Sequence, residues 1–164
     1  MIRTHNPFHY TGCGLDNIYL SSGVNFRKAD DEYGNGYSIN DADDLHKVLC
    51  LIVAMKPAVL SAREVKFLRI EADLSQKELA AKLGVTDQMV SLWERDRQPV
   101  QRAASLVLRA LVVEDLLDGA PSIKSLLEHL DSTDFDADAW RRIVLDWRCS
   151  RAEDEHRWSR AAPA

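Results

Sequence analysis

The sequence has few cysteines and no long apolar run, and these two shortages exclude several classes of protein. Three cysteines are scattered over 164 residues. That odd number does not suit a disulfide framework, so we expect a reducing compartment. The longest apolar run, Val48–Met55, is far shorter than the ~20 residues of a membrane-spanning helix. The first residues also lack the basic and apolar stretch of a secretory signal. These absences predict a cytoplasmic globular protein without a membrane segment.

The common spacings of catalytic residues are missing as well. The sequence contains no nucleophile elbow, phosphate-binding loop, zinc-protease motif or pair of carboxylates at catalytic spacing. The acidic group Asp41–Asp44 is explained by a helix N-terminus, where carboxylates oppose the positive end of the helix dipole. We therefore expect a protein that is not an enzyme and that needs no cofactor.

An excess of basic charge is also missing, since 21 Lys and Arg face 26 Asp and Glu. The deficit is uneven along the chain. Residues 59–109 hold nine basic and seven acidic side chains, whereas residues 1–58 hold five and seven, and residues 110–164 hold seven and twelve. Binding to DNA needs a local basic face and not a basic chain. The middle segment is therefore the candidate for contact with a polyanion.

The first 58 residues mix β-favouring and helical patterns. Asn17–Leu20 and Val24–Phe26 are short β-favouring runs, and the pair Asn35–Gly36 is typical of a hairpin turn. These features predict a small antiparallel sheet of two to four strands. A helix is predicted to begin at Asn40 or Asp41 and to end before Pro57.

The middle segment predicts four helices with clear boundaries. Ser61–Glu64 and Ser75–Glu78 are capping boxes that open the first two helices. Gly84 follows at a point that requires a left-handed residue, and Thr86 caps the third helix. A fourth helix is predicted over Arg102–Leu117.

The C-terminal segment predicts a short helix followed by a last helix over about 139–159. On that last helix Trp140, Ile143, Val144 and Trp147 fall at i, i+3, i+4 and i+7, which is one apolar stripe. An uncovered aromatic stripe favours association. We expect this helix to help build a homodimer. The competing interpretation is that it folds back on the four-helix middle segment of its own chain, while the N-terminal sheet or the fourth helix makes the dimer.

Residues Leu68–Pro99 resemble the helix-turn-helix regulators of the Xre/Cro class. The runs that carry the resemblance are Leu-Ser-Gln, Leu-Ala, Leu-Gly-Val and Ser-Leu-Trp-Glu, with a late proline. The resemblance implies a DNA-binding transcriptional regulator whose third helix enters the major groove. It also implies a structural pair between Arg69 and Glu94. Where the class often has glycine this chain has Asp96, a residue that tolerates a left-handed conformation.

The complete prediction is a mainly α fold in three parts. Residues 1–58 form a small α+β domain, residues 59–120 form the helix-turn-helix DNA-binding domain, and residues 121–164 form a C-terminal helical extension. The predicted function is a dimeric repressor that reads a palindromic operator in double-stranded DNA through the helix 86–95.

The polar residues at the start of the second and third helices are the candidate DNA contacts. Gln76 is placed to contact phosphate or an edge base. Gln88 can pair with adenine, and Asp87 can accept a hydrogen bond from cytosine. Ser91 can bond phosphate or base, and Leu92 either touches a thymine methyl group or packs inward. The predicted contact residues are Gln76, Thr86, Asp87, Gln88, Ser91, Leu92, Arg95 and Arg97.

As for Leu92, a structural role competes with a DNA contact at three further residues near the end of the third helix. Arg95 and Arg97 are either phosphate clamps or ordinary surface arginines. Trp93 is assigned to the core rather than to base stacking, because it repeats the inner face of its helix.

The order of a small N-terminal domain followed by a helix-turn-helix domain is also similar to that of MqsA/YgiT-type antitoxins. Those proteins bind zinc through two Cys-x-x-Cys pairs, whereas this chain keeps a single Cys13 in the corresponding region. His9, Cys13, His46 and Cys50 form another candidate metal set, but Cys50 lies in an apolar run and is better explained as a core residue. We predict no metal. The resemblance leaves an antitoxin, with a toxin protein as its partner, as the alternative function.

Overall fold

A computed structural model of the protein describes residues 6–27, 36–117, 121–149 and 156–161. The chain divides into two compact units. Unit 1 comprises Met1–Val48 and Ala137–Ala164, and unit 2 comprises Leu49–Asp136. The strands are β1 (Phe8–His9), β2 (Ile18–Leu20), β3 (Val24–Arg27), β4 (Gly36–Ile39), β5 (Ile143–Cys149) and β6 (His156–Arg160). The helices are α1 (Ala42–Ala54), α2 (Ala62–Glu71), α3 (Gln76–Leu83), α4 (Asp87–Glu94), α5 (Arg102–Leu116), α6 (Ile123–Ser132) and α7 (Ala137–Arg141).

Unit 1 is built on a four-stranded sheet that joins both ends of the chain. Its strand order is β1-β2-β5-β6, with β2 and β5 parallel and the other two pairs antiparallel. Ile18 pairs with Ile143 and Leu20 with Leu145, and all four side chains are buried. Strands β3 and β4 form a separate antiparallel pair. The strands expected at Asn17–Leu20 and Val24–Phe26 are therefore present, but they belong to different sheets.

The predicted hairpin turn at Asn35–Gly36 is partly outside the described residues. Asn35 is not described, and Gly36 is already a strand residue that pairs with Arg27. The connection between β3 and β4 therefore consists of residues 28–35, all of which lie outside the described part of the chain.

The predicted helix over 139–159 is wrong. Helix α7 ends at Arg141, and the residues that follow form strand β5. Ile143 and Leu145 are both buried and lie two residues apart, which is the period of a strand. Neighbours such as Ile143 and Val144 consequently point to opposite faces, so the single apolar stripe does not exist. The short helix predicted before it is confirmed as α6 (Ile123–Ser132), whereas the residues from Ile143 onward supply strands to unit 1. The dimer contact predicted for the last helix therefore has no helix to form it.

Helix α1 begins where the sequence predicts. Asp41 accepts a hydrogen bond from the backbone N–H of Asp44 at 3.1 Å, as an N-cap residue does. Within unit 1 the indole of Trp158 donates to the carbonyl of Asn40 at 2.8 Å, and its backbone N–H donates to the carboxylate of Asp44 at 2.9 Å. Strand β6 is thereby tied to the start of α1.

Unit 2 contains the helices α2 to α6, and both predicted capping boxes are confirmed. The hydroxyl of Ser61 accepts from the N–H of Glu64, and the Glu64 carboxylate accepts from the N–H of Ser61. Ser75 and Glu78 repeat the arrangement at the start of α3. The hydrogen bonds from Ser75 also lower the pKa of Glu78. The core of unit 2 includes Leu68, Leu79, Val90, Trp93 and Leu108.

A buried cation joins the segment after α1 to helix α5. Arg109 is 2% exposed and donates to the carbonyls of Ala54 and Lys56 at 2.7 Å and of Ala58 at 2.5 Å. Lys56 is itself buried and contacts both carboxylate oxygens of Glu64, at 2.8 and 2.9 Å. These polar contacts fix residues 54–58 against helices α2 and α5.

None of the described helices is long and apolar enough to cross a bilayer.

Candidate DNA-binding surface

Helices α3 and α4 are joined by a tight turn that the local sequence determines. Gly84 adopts the left-handed conformation with φ 67° and ψ 32°, as predicted for this position. The N–H of Val85 then donates to the carbonyl of Ala80 at 3.0 Å. Thr86 caps α4, because its hydroxyl accepts from the N–H of Met89 at 3.2 Å. The first turn of α4 is therefore held in a defined position.

Helix α4 has one buried and one accessible face. Val90 and Trp93 are buried, and Trp93 is thus confirmed as a core residue. Thr86, Asp87 and Gln88 are exposed together at the N-terminal end. In a helix-turn-helix unit the N-terminal residues of the second helix are the ones that meet base edges, so this exposed face is the candidate surface for DNA contact.

The remaining two α4 candidates, Ser91 and Leu92, are partly buried. They lie one turn further along the helix than the exposed group. The partial burial of Leu92 leaves it in contact with both solvent and the interior, so packing and contact with a thymine methyl group are compatible at this position.

Glu94 connects three elements at the other end of α4. Its carboxylate accepts from Arg69 Nε at 2.5 Å and Arg69 Nη2 at 3.0 Å, which confirms the predicted pair. The same carboxylate accepts from Gln76 Nε2 at 2.8 Å. Arg69 also donates to the carbonyl of Leu74 at 2.8 Å, at the approach to α3. The network fixes the start of α3 relative to α4.

The bond between Gln76 and Glu94 was not predicted from the sequence. Gln76 is half-buried and uses one N–H of its amide internally. Its amide oxygen and its second N–H therefore take a fixed orientation. The spacing of Gln76 and Glu94 in the sequence carries no signal for this contact, because it depends on how α3 and α4 pack.

The chain leaves α4 through a left-handed residue flanked by two arginines. Asp96 has φ +56°, which confirms the expectation that aspartate substitutes here for glycine. The N–H of Arg97 donates to the carbonyl of Leu92 at 2.9 Å and closes the turn. The side chains of Arg95 and Arg97 are both exposed. They add positive charge beside the candidate surface.

Comparison with known protein families decides the class of this domain. Residues 65–113 match the family model described as helix-turn-helix. Residues 65–113 are a helix-turn-helix domain of the Xre/Cro type. Domains of this family bind DNA and are not typically enzymatic, so the protein carries the DNA-binding domain of a transcriptional regulator. No curated protein and no solved structure matches the chain.

The helix-turn-helix match spans α2 to α5 and leaves unit 1 unassigned. The match neither supports nor excludes a relation to the MqsA/YgiT-type antitoxins. Among the described residues, no group of three or more His, Cys, Asp or Glu side chains is arranged to hold a metal ion. His9 bonds the carbonyl of Asp16 at 2.8 Å, His46 bonds the hydroxyl of Tyr10 at 2.8 Å, and Cys50 is buried.

Proposed function

We propose that the protein is a dimeric, sequence-specific repressor that reads a palindromic operator through α4. The observation that carries this proposal is the exposed group Thr86, Asp87 and Gln88 at the N-terminal end of a helix whose opposite face is anchored by Val90 and Trp93. In helix-turn-helix domains the N-terminal end of the second helix of the motif, which is α4 in this chain, faces the base edges. A repressor of this kind must reach the chromosome, so we place the protein in the cytoplasm.

The exposed side chains of α4 offer a donor and acceptor pattern suited to base pairs. The Gln88 amide can donate to and accept from the major-groove edge of adenine at once. One oxygen of Asp87 accepts from the N–H of Gln88 at 3.0 Å, and the carboxylate retains acceptor capacity for a cytosine amino group. Ser91 adds a hydroxyl one turn further along.

Phosphate contacts supply the remaining affinity in this proposal. Gln76 is the candidate at the start of α3, with its amide orientation set by Glu94. Arg95 and Arg97 are exposed at the end of α4 and are candidates for charge-assisted contacts. Few basic groups surround the helix, so we expect few phosphate contacts per subunit and weak non-specific binding.

Two copies related by a two-fold axis would place two α4 helices in successive major grooves about 34 Å apart. Selection of duplexes from a random-sequence pool by the purified full chain tests this arrangement. Enrichment of one inverted repeat, with half-sites about one helical turn apart, supports a dimeric reader. A single unrepeated half-site would contradict the dimer, and a pool that never converges would contradict sequence-specific reading.

The substitution Gln88→Ala is expected to weaken binding to the selected duplex by about 1–3 kcal/mol and to relax preference at one base pair. The reason is the loss of a paired contact to a single base edge. Titrating the variant against duplexes changed at each position in turn measures the effect. Gln101→Ala is a matched control, because Gln101 is exposed at the start of α5 and its side chain makes no capping bond. Uniform weakening on all duplexes would contradict a base contact by Gln88.

An antitoxin is the second candidate, and an aromatic cluster in unit 1 favours it. Phe26 and Tyr37 are 65% and 47% exposed, and both rings contact Phe8, with centroids 5.7 and 4.7 Å apart. Exposed aromatic side chains are frequent anchors of protein–protein contacts. If a small basic protein is encoded beside this gene, co-expression of the two proteins discriminates the two functions. A stable complex that Phe26→Ser disrupts would favour the antitoxin, whereas a complex insensitive to Phe26→Ser would remove the support of this cluster.

A further inference from the structure

Unit 2 contains a cavity of about 240 Å³ between α5, α6 and residues 57–59. None of its lining residues belongs to the candidate DNA-binding surface. Its apolar wall is formed by Pro57, Val59, Val100, Leu106, Leu127 and Leu130. An apolar cavity of about 150 Å³ already holds a benzene molecule. The space therefore suits a single aromatic ring or a short branched alkyl group.

The polar lining of the cavity is mainly cationic. Arg102 and Arg109 both line it, together with one acid, Asp131, and one hydroxyl group, that of Ser105. Arg109 is almost fully buried. The negative charge of Glu64 favours the cationic form of Arg109, and the Glu64 carboxylate is itself bound to Lys56. Burial lowers the pKa of Arg109 to about 10, which leaves the guanidinium cationic at neutral pH. The cavity wall thus complements a negatively charged ligand group.

An ion pair lies where the cavity opens to solvent. The guanidinium of Arg102 contacts the carboxylate of Asp131, and these side chains are 76% and 60% exposed. Pairs this exposed contribute little stability. A carboxylate that arrives with an apolar tail can therefore replace Asp131 on Arg102 at little cost, while the tail is removed from water.

We propose that this cavity is a binding site for a small apolar monocarboxylic acid. Its aromatic or branched alkyl tail fills the space between α5 and α6, and its carboxylate forms the charge-assisted bond to Arg102 that Asp131 makes in the unliganded chain. The positive charge of Arg109 at the inner wall adds to the attraction. The site goes beyond the proposed DNA reading, and its test uses no DNA.

Calorimetric titration of the full chain with phenylacetate, and with its neutral amide, tests the proposal. We expect saturable one-to-one binding of phenylacetate with a Kd between about 10 µM and 1 mM, as is usual for so small a ligand. The amide should bind about tenfold more weakly, because it lacks the charge-assisted bond. Absence of phenylacetate binding, or equal binding of the amide, would overturn the proposal.

Two variants distinguish this site from a general apolar patch. Arg102→Gln should weaken phenylacetate binding about tenfold, whereas Asp131→Asn should strengthen it about threefold by removing the internal competitor. Both positions are exposed, so the fold should tolerate either change. Lys66→Gln, which changes an exposed cation of α2 outside both the cavity and the candidate DNA-binding surface, is the control and should leave the Kd unchanged. Unchanged or weaker binding by Asp131→Asn would contradict the proposed exchange of carboxylates.

Discussion

Replacing Arg109 by methionine is expected to lower the free energy of unfolding of unit 2 by about 3–5 kcal/mol. Methionine keeps much of the apolar volume but removes every donor. The carbonyls of Ala54 and Ala58 then lose bonds of 2.7 and 2.5 Å, and that of Lys56 loses one of 2.7 Å. A buried acceptor that loses its partner costs far more than an exposed one, because no water replaces the bond.

Chemical denaturation of the full chain, followed by far-ultraviolet circular dichroism, measures this loss. The signal reports mainly on unit 2, which contains all of α2 to α6. Arg102→Met is the matched control: it removes an arginine of the same helix whose side chain is 76% exposed, and it should cost less than about 1 kcal/mol. Equal stability of the two variants would show that the carbonyl bonds of Arg109 contribute nothing.

The second large effect is expected for Gly23→Ala, at about 2–5 kcal/mol for unit 1. Gly23 has φ +76°, where an L side chain is strained. An added methyl group would also lie 2.7 Å from the ring of Trp158 and 2.8 Å from the Cβ of Trp147. Trp158 cannot move aside easily, because its indole and backbone N–H groups are both bonded and its side chain is buried.

Two other glycines of unit 1 separate the backbone contribution from the steric one. Gly14 has φ +83° but nothing within 4 Å of an added Cβ, so Gly14→Ala should show the backbone cost alone, about 1–2 kcal/mol. Gly36 has neither constraint, and Gly36→Ala should be nearly neutral. Tryptophan fluorescence during denaturation reports on unit 1, which holds three of the four tryptophans. If Gly23→Ala is no worse than Gly14→Ala, the packing of the two indoles is not as tight as the structure indicates.

The features of the helix-turn-helix domain that depend on local sequence were predictable. A capping box such as Ser75–Glu78 lies within four residues, and the positive φ values at Gly84 and Asp96 follow from residue type and position. The accessible face of α4 follows from helical periodicity, because Val90 and Trp93 fix its inner side. Most residues of the candidate DNA-binding surface could therefore be identified from local sequence patterns, and their contacts with DNA stay a prediction.

The fold of the C-terminal segment could not be predicted in the same way. Ile143, Val144 and Trp147 fit a helical spacing equally well, and only their pairing partner decides for a strand. That partner is β2, from the opposite end of the chain, in parallel register with β5. Strand formation depends on such tertiary context more than on intrinsic preference. The bond between Gln76 and Glu94 escaped prediction for the same reason, since it requires the packed geometry of two helices.

The central claim is that α4 reads a DNA sequence with little help from a generally basic surface. Its most direct test is an equilibrium titration of one selected duplex and one scrambled duplex of the same composition, at rising salt concentration. At about 0.15 M salt the selected duplex should bind at least about 10³-fold more tightly. Further salt should make scrambled binding undetectable while selected binding persists. Scrambled DNA that binds within about tenfold of the selected duplex at physiological salt would contradict the claim.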